Sequence, residues 1–256
     1  MLSNSNICLS IIISFKKINK MNEKEIAQEL NQELKGKTIF EKLEHLNEKF
    51  GGKIVFTTSF GYEDQVIVDM IFRGNVPVQV VTLDTGRMFE ETYKVFRSTQ
   101  EKYGKPIHVY FPPTEEVEKL MTKKGPFSFY ESIENRKECC YIRKVIPLKR
   151  ALKGFDLWIT GLRASQSATR SILEEFEWDE GNQILKYNPL LEWSLDEVKQ
   201  YIKKYHVPYN VLHDKGFVSI GCEPCTRAIQ PGEDFRAGRW WWENNSGKEC
   251  GLHEVK

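Results

Sequence analysis

Short apolar runs alternate with longer amphipathic stretches through the middle of the chain. Residues 53–58, 78–83, 107–111 and 156–160 are short, rich in β-branched and aromatic side chains, and followed by hydroxyl, Gly or Pro residues. Runs of that length and composition read as strands, the first of them buried. Helical spacing of apolar positions occupies 63–72, 89–102, a stretch from Cys139 or Cys140 to Leu152, and 195–205. Strands and helices that alternate in this way predict an α/β fold, a mainly parallel sheet with crossover helices on both faces. Residues from 206 onward are rich in Gly and Pro and read as a tail region.

Such sheets bind ligands beyond the carboxyl ends of their strands. Three loops fall there: Ser59-Phe60-Gly61, Leu83-Asp84-Thr85-Gly86, and Gly161-Leu162-Arg163 with Gln166 close behind. The first offers hydroxyls and backbone N–H groups ahead of a helix, which suits an anion. It lacks the Gly-Lys-Ser/Thr ending of a Walker loop. Asp84 and Thr85 supply an acceptor and a donor for ribose or base edges. Arg163, Gln166 and Arg170 add polar and cationic groups. Three such loops on one sheet edge point to a nucleotide site.

Cysteine changes the picture further. Cys139 and Cys140 are adjacent, Cys222 and Cys225 form a C-x-x-C, and Cys250 stands alone near the C-terminus, three residues before His253. Two clustered pairs suit one thiolate site, either zinc or an iron–sulfur cluster, although an adjacent pair is unusual for zinc. A lone Cys near His and Arg suits a nucleophile. Arg136, Lys137, Arg143 and Lys144 crowd the first pair; Arg227, Arg236 and Arg239 follow the second. The formal net charge is only +1, so no global field favours nucleic acid or a membrane. The apolar stretch 7–15 is too short to span a bilayer and lacks preceding cations, which argues against a signal peptide. Residues 1–20 are expected to lie outside the core. Residues 21–235 are expected to form the nucleotide- and cluster-binding domain, and 236–256 a catalytic tail.

The motifs Thr58-Ser59-Phe60-Gly61-Tyr62-Glu63-Asp64-Gln65, Leu83-Asp84-Thr85-Gly86-Arg87 and Cys139-Cys140-Tyr141-Ile142-Arg143-Lys144 occur in order. Trp158 to Arg163, Gly221-Cys222-Glu223-Pro224-Cys225-Thr226-Arg227, Arg236-Ala237-Gly238-Arg239-Trp240-Trp241-Trp242-Glu243 and Glu249-Cys250-Gly251-Leu252-His253 complete the set. Together they resemble the sulfonucleotide reductases, in particular the cluster-containing assimilatory type that acts on adenylyl sulfate, over about residues 35–253.

The resemblance implies a Rossmann-like fold of the adenine-nucleotide hydrolase type and a [4Fe-4S] cluster on Cys139, Cys140, Cys222 and Cys225. It implies that Cys250 attacks adenosine 5′-phosphosulfate, with Lys144, Arg236, Arg239 and His253 assisting. Thioredoxin, or a glutaredoxin-like reductant, would then release sulfite in the cytoplasm, serving sulfate assimilation and cysteine biosynthesis. A homo-oligomer is left open. Two competing functional classes are an ATP pyrophosphatase-type enzyme, whose Ser-Gly-Gly-x-Asp-Ser loop this chain lacks, and a nonenzymatic nucleotide-binding protein, which would have no use for Cys250. Within the reductases, a 3′-phosphoadenylyl-sulfate or dual-specificity enzyme is the alternative.

Overall fold

The computed structural model of the protein describes residues 22–167 and 170–243. The expected N-terminal extension, and Cys250 and His253 in the tail, lie outside those residues. Two amphipathic helices come first, α1 (Glu23–Glu33) and α2 (Ile39–Phe50). Each starts on a capping box, Asn22 with Glu25 and Thr38 with Glu41, which satisfies N–H groups that the first turn leaves open. There follow β1 (Ile54–Thr58), α3 (Tyr62–Arg73), β2 (Gln79–Leu83), α4 (Glu90–Tyr103), β3 (His108–Tyr110) and α5 (Thr114–Lys124). Then come α6 (Ile133–Cys140), a wide π-helical turn (Tyr141–Val145), α7 (Ile146–Leu152), β4 (Leu157–Ile159), β5 (Phe176–Asp179), β6 (Ile184–Tyr187) and α8 (Leu195–Tyr205).

The six strands form one sheet in the order β3-β2-β1-β4-β6-β5. All neighbours are parallel except β5 and β6. The expected mainly parallel sheet with helices on both faces therefore holds. Strand alternation sorts the core. Ile54 and Phe56 of β1, with Leu157 and Ile159 of β4, face the larger core beneath α1, α2, α3 and α8. Val55, Val81 and Trp158 face the other side, against Leu148, Ala151 and Leu152 of α7. A third apolar cluster joins Leu120, Phe129, Cys139, Ile142, Cys225 and Trp240.

The strand order reverses between β1 and β4, because β2 and β3 extend to one side and β6 and β5 to the other. The backbones part at that point and open a crevice beyond the carboxyl ends. The hairpin β5–β6 was not anticipated from the sequence. Its strands have four residues each, and buried Lys186 interrupts the apolar pattern of β6. Lys186 is held by Glu177 at 2.5 Å, a pairing visible only once the strands are side by side.

Candidate active site

The crevice at the switch point is a cleft lined by Thr57, Thr58, Ser59 and Gly61 at the end of β1, by Leu83 and Thr85 at the end of β2, and by Thr160, Gly161 and Leu162 after β4. At the end of β1 the chain turns sharply. Phe60 has φ 62°, a left-handed conformation that costs a non-glycine residue energy. Its ring is fully buried and stacks on Phe96 at 5.1 Å. Apolar burial offsets the strain, and Phe60 shapes the loop from inside the core without lining the cleft. Asp64 stitches the loop closed: one carboxylate oxygen accepts from Ser59 N at 2.6 Å and Ser59 Oγ at 2.7 Å. Gly61 caps α3 with no side-chain bond, so no side chain satisfies the first N–H groups of that helix, whose start lines the cleft through Gly61, Glu63 and Asp64.

Asp64 is buried against Gly161, where any Cβ would collide with its carboxylate. Burial raises its pKa to about 6, with the two Ser59 hydrogen bonds and Arg170 pulling the other way. A carboxylate in a cleft otherwise suited to anions is a feature the loop motif alone does not disclose.

The β2 loop is an Asx-type turn. Asp84 accepts from Gly86 N at 2.8 Å and from the Tyr93 hydroxyl at 2.9 Å, and Gly86 has φ 69°. Asp84 and Gly86 hold the turn; Leu83 and Thr85 face the cleft. In the β4 loop, the Arg163 side chain is buried and held by Glu63 at 2.7 Å, Ser165 at 2.6 Å and the Trp193 carbonyl. The cleft is lined instead by Gln166 and Arg170, which are hydrogen-bonded to each other.

The cysteines meet across some eighty residues of sequence. Cys139 and Cys140 end α6, and the backbone then widens into the π turn. Pro147 lies just beyond, and its missing N–H and bulky ring favour a wider turn over a regular helix. The helix begins earlier than expected, at Ile133, because Ser132 caps it by accepting from Asn135 N. Cys222 and Cys225 flank a short 3₁₀ turn on the opposite wall. All four thiols line one small cavity, together with Arg87, Phe129, Arg136, Arg143 and Lys144. None of the four is in a disulfide.

Among the described residues, no three His, Cys, Asp or Glu form a ready site for a single metal ion. A tetrahedral zinc would draw its thiolates to about 3.8 Å from one another, given bonds of ~2.3 Å. The four cysteines around one shared cavity are the donor set of a thiolate-ligated group. The buried Nε of Arg143, which has no hydrogen-bond partner, also fits an anionic occupant. Burial pushes the Cys225 thiol up to about 12 and raises Cys139 as well, so binding a group through these two as thiolates would release protons.

Cleft and cavity share a wall. Lys144 and Cys222 line both. The Thr85 carbonyl accepts from Arg143 at 2.6 Å, the Thr85 hydroxyl lies 3.3 Å from Cys222 Sγ, and Glu223 N donates to the Arg87 carbonyl. The C-terminal segment closes the far side. Arg236 and Arg239 line the cleft, and Gly221 leaves room for the Arg239 guanidinium. The guanidinium groups of Arg136, Arg236 and Arg239 lie over the ring of buried Trp240, 4.6–5.8 Å from its centroid. Residues 236–243 are packed on the body: Arg227 and Gly238 are bonded, Trp240 N donates to the Cys225 carbonyl, and Glu243 forms a buried pair with Arg136. His213 also lines the cleft, stacked on Tyr62 at 3.8 Å, with Nδ1 2.7 Å from the Phe217 carbonyl. Burial lowers its pKa. A lone His in a loop gave no sequence signal.

Fold and cleft define an α/β protein of the adenine-nucleotide hydrolase-like class, with hydroxyls, Lys144, Arg170, Arg236 and Arg239 lining the cleft beyond its strands. Residues 53–228 match the family described as the phosphoadenosine phosphosulfate reductase domain, and the chain belongs to that family. It is 50% identical over 200 residues to the adenosine 5′-phosphosulfate reductase of Allochromatium vinosum, covering 78% of each chain. It is 46% identical over 230 residues to that of Burkholderia cepacia, covering 89% of this chain and 91% of the relative. The crystal structure of phosphoadenylyl-sulfate reductase from Candida auris, a phosphate complex, superposes with TM-score 0.68 at 32% identity, over 82% of this chain and 98% of that one. No helix among the described residues is long and apolar enough to cross a membrane.

Proposed function

We propose that this protein reduces adenosine 5′-phosphosulfate to sulfite and AMP, with thioredoxin as electron donor, in cytoplasmic sulfate assimilation. The observation that carries the reading is the shared wall: an oxyanion cleft and a four-cysteine cavity joined through Lys144 and Cys222. The curated relatives with the adenylyl-sulfate name support the choice of substrate.

In this scheme the Cys250 thiolate attacks the sulfur of the phosphosulfate. The bond from sulfur to the bridging phosphate oxygen breaks, AMP leaves with that oxygen, and an S-sulfocysteine remains. Lys144, Arg236 and Arg239 neutralise charge on the phosphosulfate, and arginine suits this because its planar fork bonds two oxygens at once. His253 assists the thiolate. Thioredoxin then attacks the Cys250 sulfur, sulfite departs with the bonding pair, and the second thioredoxin thiol resolves the mixed disulfide. Cys139, Cys140, Cys222 and Cys225 would hold a [4Fe-4S] cluster, which when bound supplies structure and local charge. Both electrons of the reaction come from thiols.

The test is mass spectrometry and assay on anaerobically purified protein. Substrate alone should add one SO₃ group to Cys250. Cys250→Ser should bind nucleotide and keep a brown chromophore yet make no sulfite. Sulfite from that variant would remove Cys250 from the role, and zinc in place of iron would remove the cluster. The 3′-phosphorylated nucleotide is the second reading, supported by the family's name and the Candida auris structure. A kcat/KM ratio of at least about tenfold for the unphosphorylated form, roughly 1.4 kcal/mol, decides for the first.

A further inference from the structure

Away from the cleft, three aromatic side chains, joined through the middle one, Tyr130, face water. Phe127, Tyr130 and Trp241 are 60%, 39% and 48% exposed. The Phe127 and Tyr130 rings stack at 6.2 Å, and Tyr130 lies 6.5 Å from Trp241. Beneath them Phe129 and Trp242 pack on the cysteine cavity, and the Tyr130 hydroxyl donates to the Pro224 carbonyl at 2.6 Å. The patch is thus held rigid from below. Single exposed apolar residues need no explanation, but a contiguous rigid group of Phe, Tyr and Trp has the composition of a binding hot spot.

We propose that this patch is the docking surface for the dithiol protein that reduces the Cys250 S-sulfonate, an inference that rests on the function proposed above. Position supports it. Trp241 lies two residues before Glu243, which the buried Arg136 pair anchors to α6. From Glu243 to Cys250 is seven residues, and a chain of that length spans at most about 25 Å. A protein seated on the patch therefore stands within reach of the Cys250 sulfur. None of the three rings lines the cleft, so docking leaves the nucleotide path open. Residues 244–256 are a poor alternative cover. Leu252 and Val255 are their only sizeable aliphatic side chains, too few for three aromatic rings.

The chemistry balances with no further reagent. A partner thiolate attacks Cys250 Sγ, the bond to the SO₃ group breaks, and sulfite carries off the electron pair. The partner's second thiol then displaces Cys250 as a thiolate, and the partner leaves as its disulfide. The patch contributes only affinity for the partner and its orientation, so its loss should spare the first half-reaction.

The test uses cluster-loaded protein with Phe127→Ser, Trp241→Ser and both. Turnover is measured against thioredoxin concentration and, separately, with dithiothreitol as the reductant. The double variant should raise KM for thioredoxin at least about tenfold. SO₃ transfer to Cys250 and turnover with dithiothreitol should stay within about twofold of wild type. An unchanged KM for thioredoxin overturns the proposal. Should the variants lose SO₃ transfer as well, hydrogen exchange on wild type bound to thioredoxin decides: protection at 127–130 and 241–242 supports the patch, and its absence there overturns it. A wild-type dimer that Phe127→Ser dissolves while KM stays constant would assign the patch to a second copy and also overturn it. If wild type forms no adduct on Cys250, the underlying function fails; an adduct with a patch-independent KM sinks only the docking surface.

Discussion

Replacing Glu243 by Gln should destabilise the protein by an amount that its partner Arg136 can account for. Both side chains are 3% exposed, and the guanidinium makes two bonds to the carboxylate, at 2.8 and 3.0 Å. Breaking a buried pair by removing one member typically costs about 3–5 kcal/mol, because a desolvated charge is left behind. Glu243→Gln and Arg136→Met should each fall in that range, the second somewhat higher because the guanidinium also lies 4.6 Å from the Trp240 ring centroid. At about 2–4 °C per kcal/mol for a protein of this size, the melting temperature should drop by about 6–20 °C. The informative variant is the double one, Arg136→Met with Glu243→Leu. It removes both charges and should lose less than about 2 kcal/mol, so the coupling between the sites exceeds about 4 kcal/mol. Thermal unfolding of wild type, Arg136→Met, Glu243→Leu and the double variant, loaded alike, provides the cycle. Additive single effects, or a Glu243→Gln protein melting within about 2 °C of wild type, would refute the claim that this pair anchors the C-terminal segment.

Two further outcomes follow from the cleft. Asp64, with its pKa raised from 3.8 to about 6, binds its proton more tightly folded than unfolded. Its contribution is therefore favourable below about pH 4 and is lost as pH rises through 6, about 3 kcal/mol in all. Asp64→Asn should gain on wild type across that window in denaturant titrations, and a stability difference that is flat with pH would show the carboxyl to be unperturbed. Gly221→Ala would drive a methyl into the Arg239 guanidinium. Loss of a charge-assisted bond worth about 1.5–3 kcal/mol should weaken nucleotide binding roughly 10- to 100-fold by calorimetry while the chromophore stays intact. Unaltered affinity would mean that Arg239 does not reach the nucleotide.

The strands β1 to β4 and the helix α8 were legible because each depends on its own residues. A Val/Ile/Phe run bounded by turn formers favours a strand whatever its neighbours are, even β3 with His108 and Val109 exposed, and Ser194 with Glu197 caps α8 locally. The hairpin β5–β6 was not legible, since buried Lys186 looks polar until Glu177 stands opposite. Among the site residues, Ser59, Gly61, Leu83, Thr85, Gln166, Lys144, Arg236 and Arg239 could be named from motifs, and all line the cleft.

What each residue does there is another matter. Phe60 turns into the core because Phe96, thirty-six residues on, offers its ring more than water does. Arg163 is occupied because Glu63, a hundred residues earlier, neutralises it. The sequence by itself determined the element types and the inventory of thiols, hydroxyls and cations, because spacing and side-chain chemistry are properties of the chain. Only the tertiary structure decided which cations face the cleft, which are paired in the interior, and that the cysteine cavity shares Lys144 and Cys222 with the cleft. Burial, charge pairing and reach act between residues far apart in sequence, and they have no value until the sheet brings those residues together.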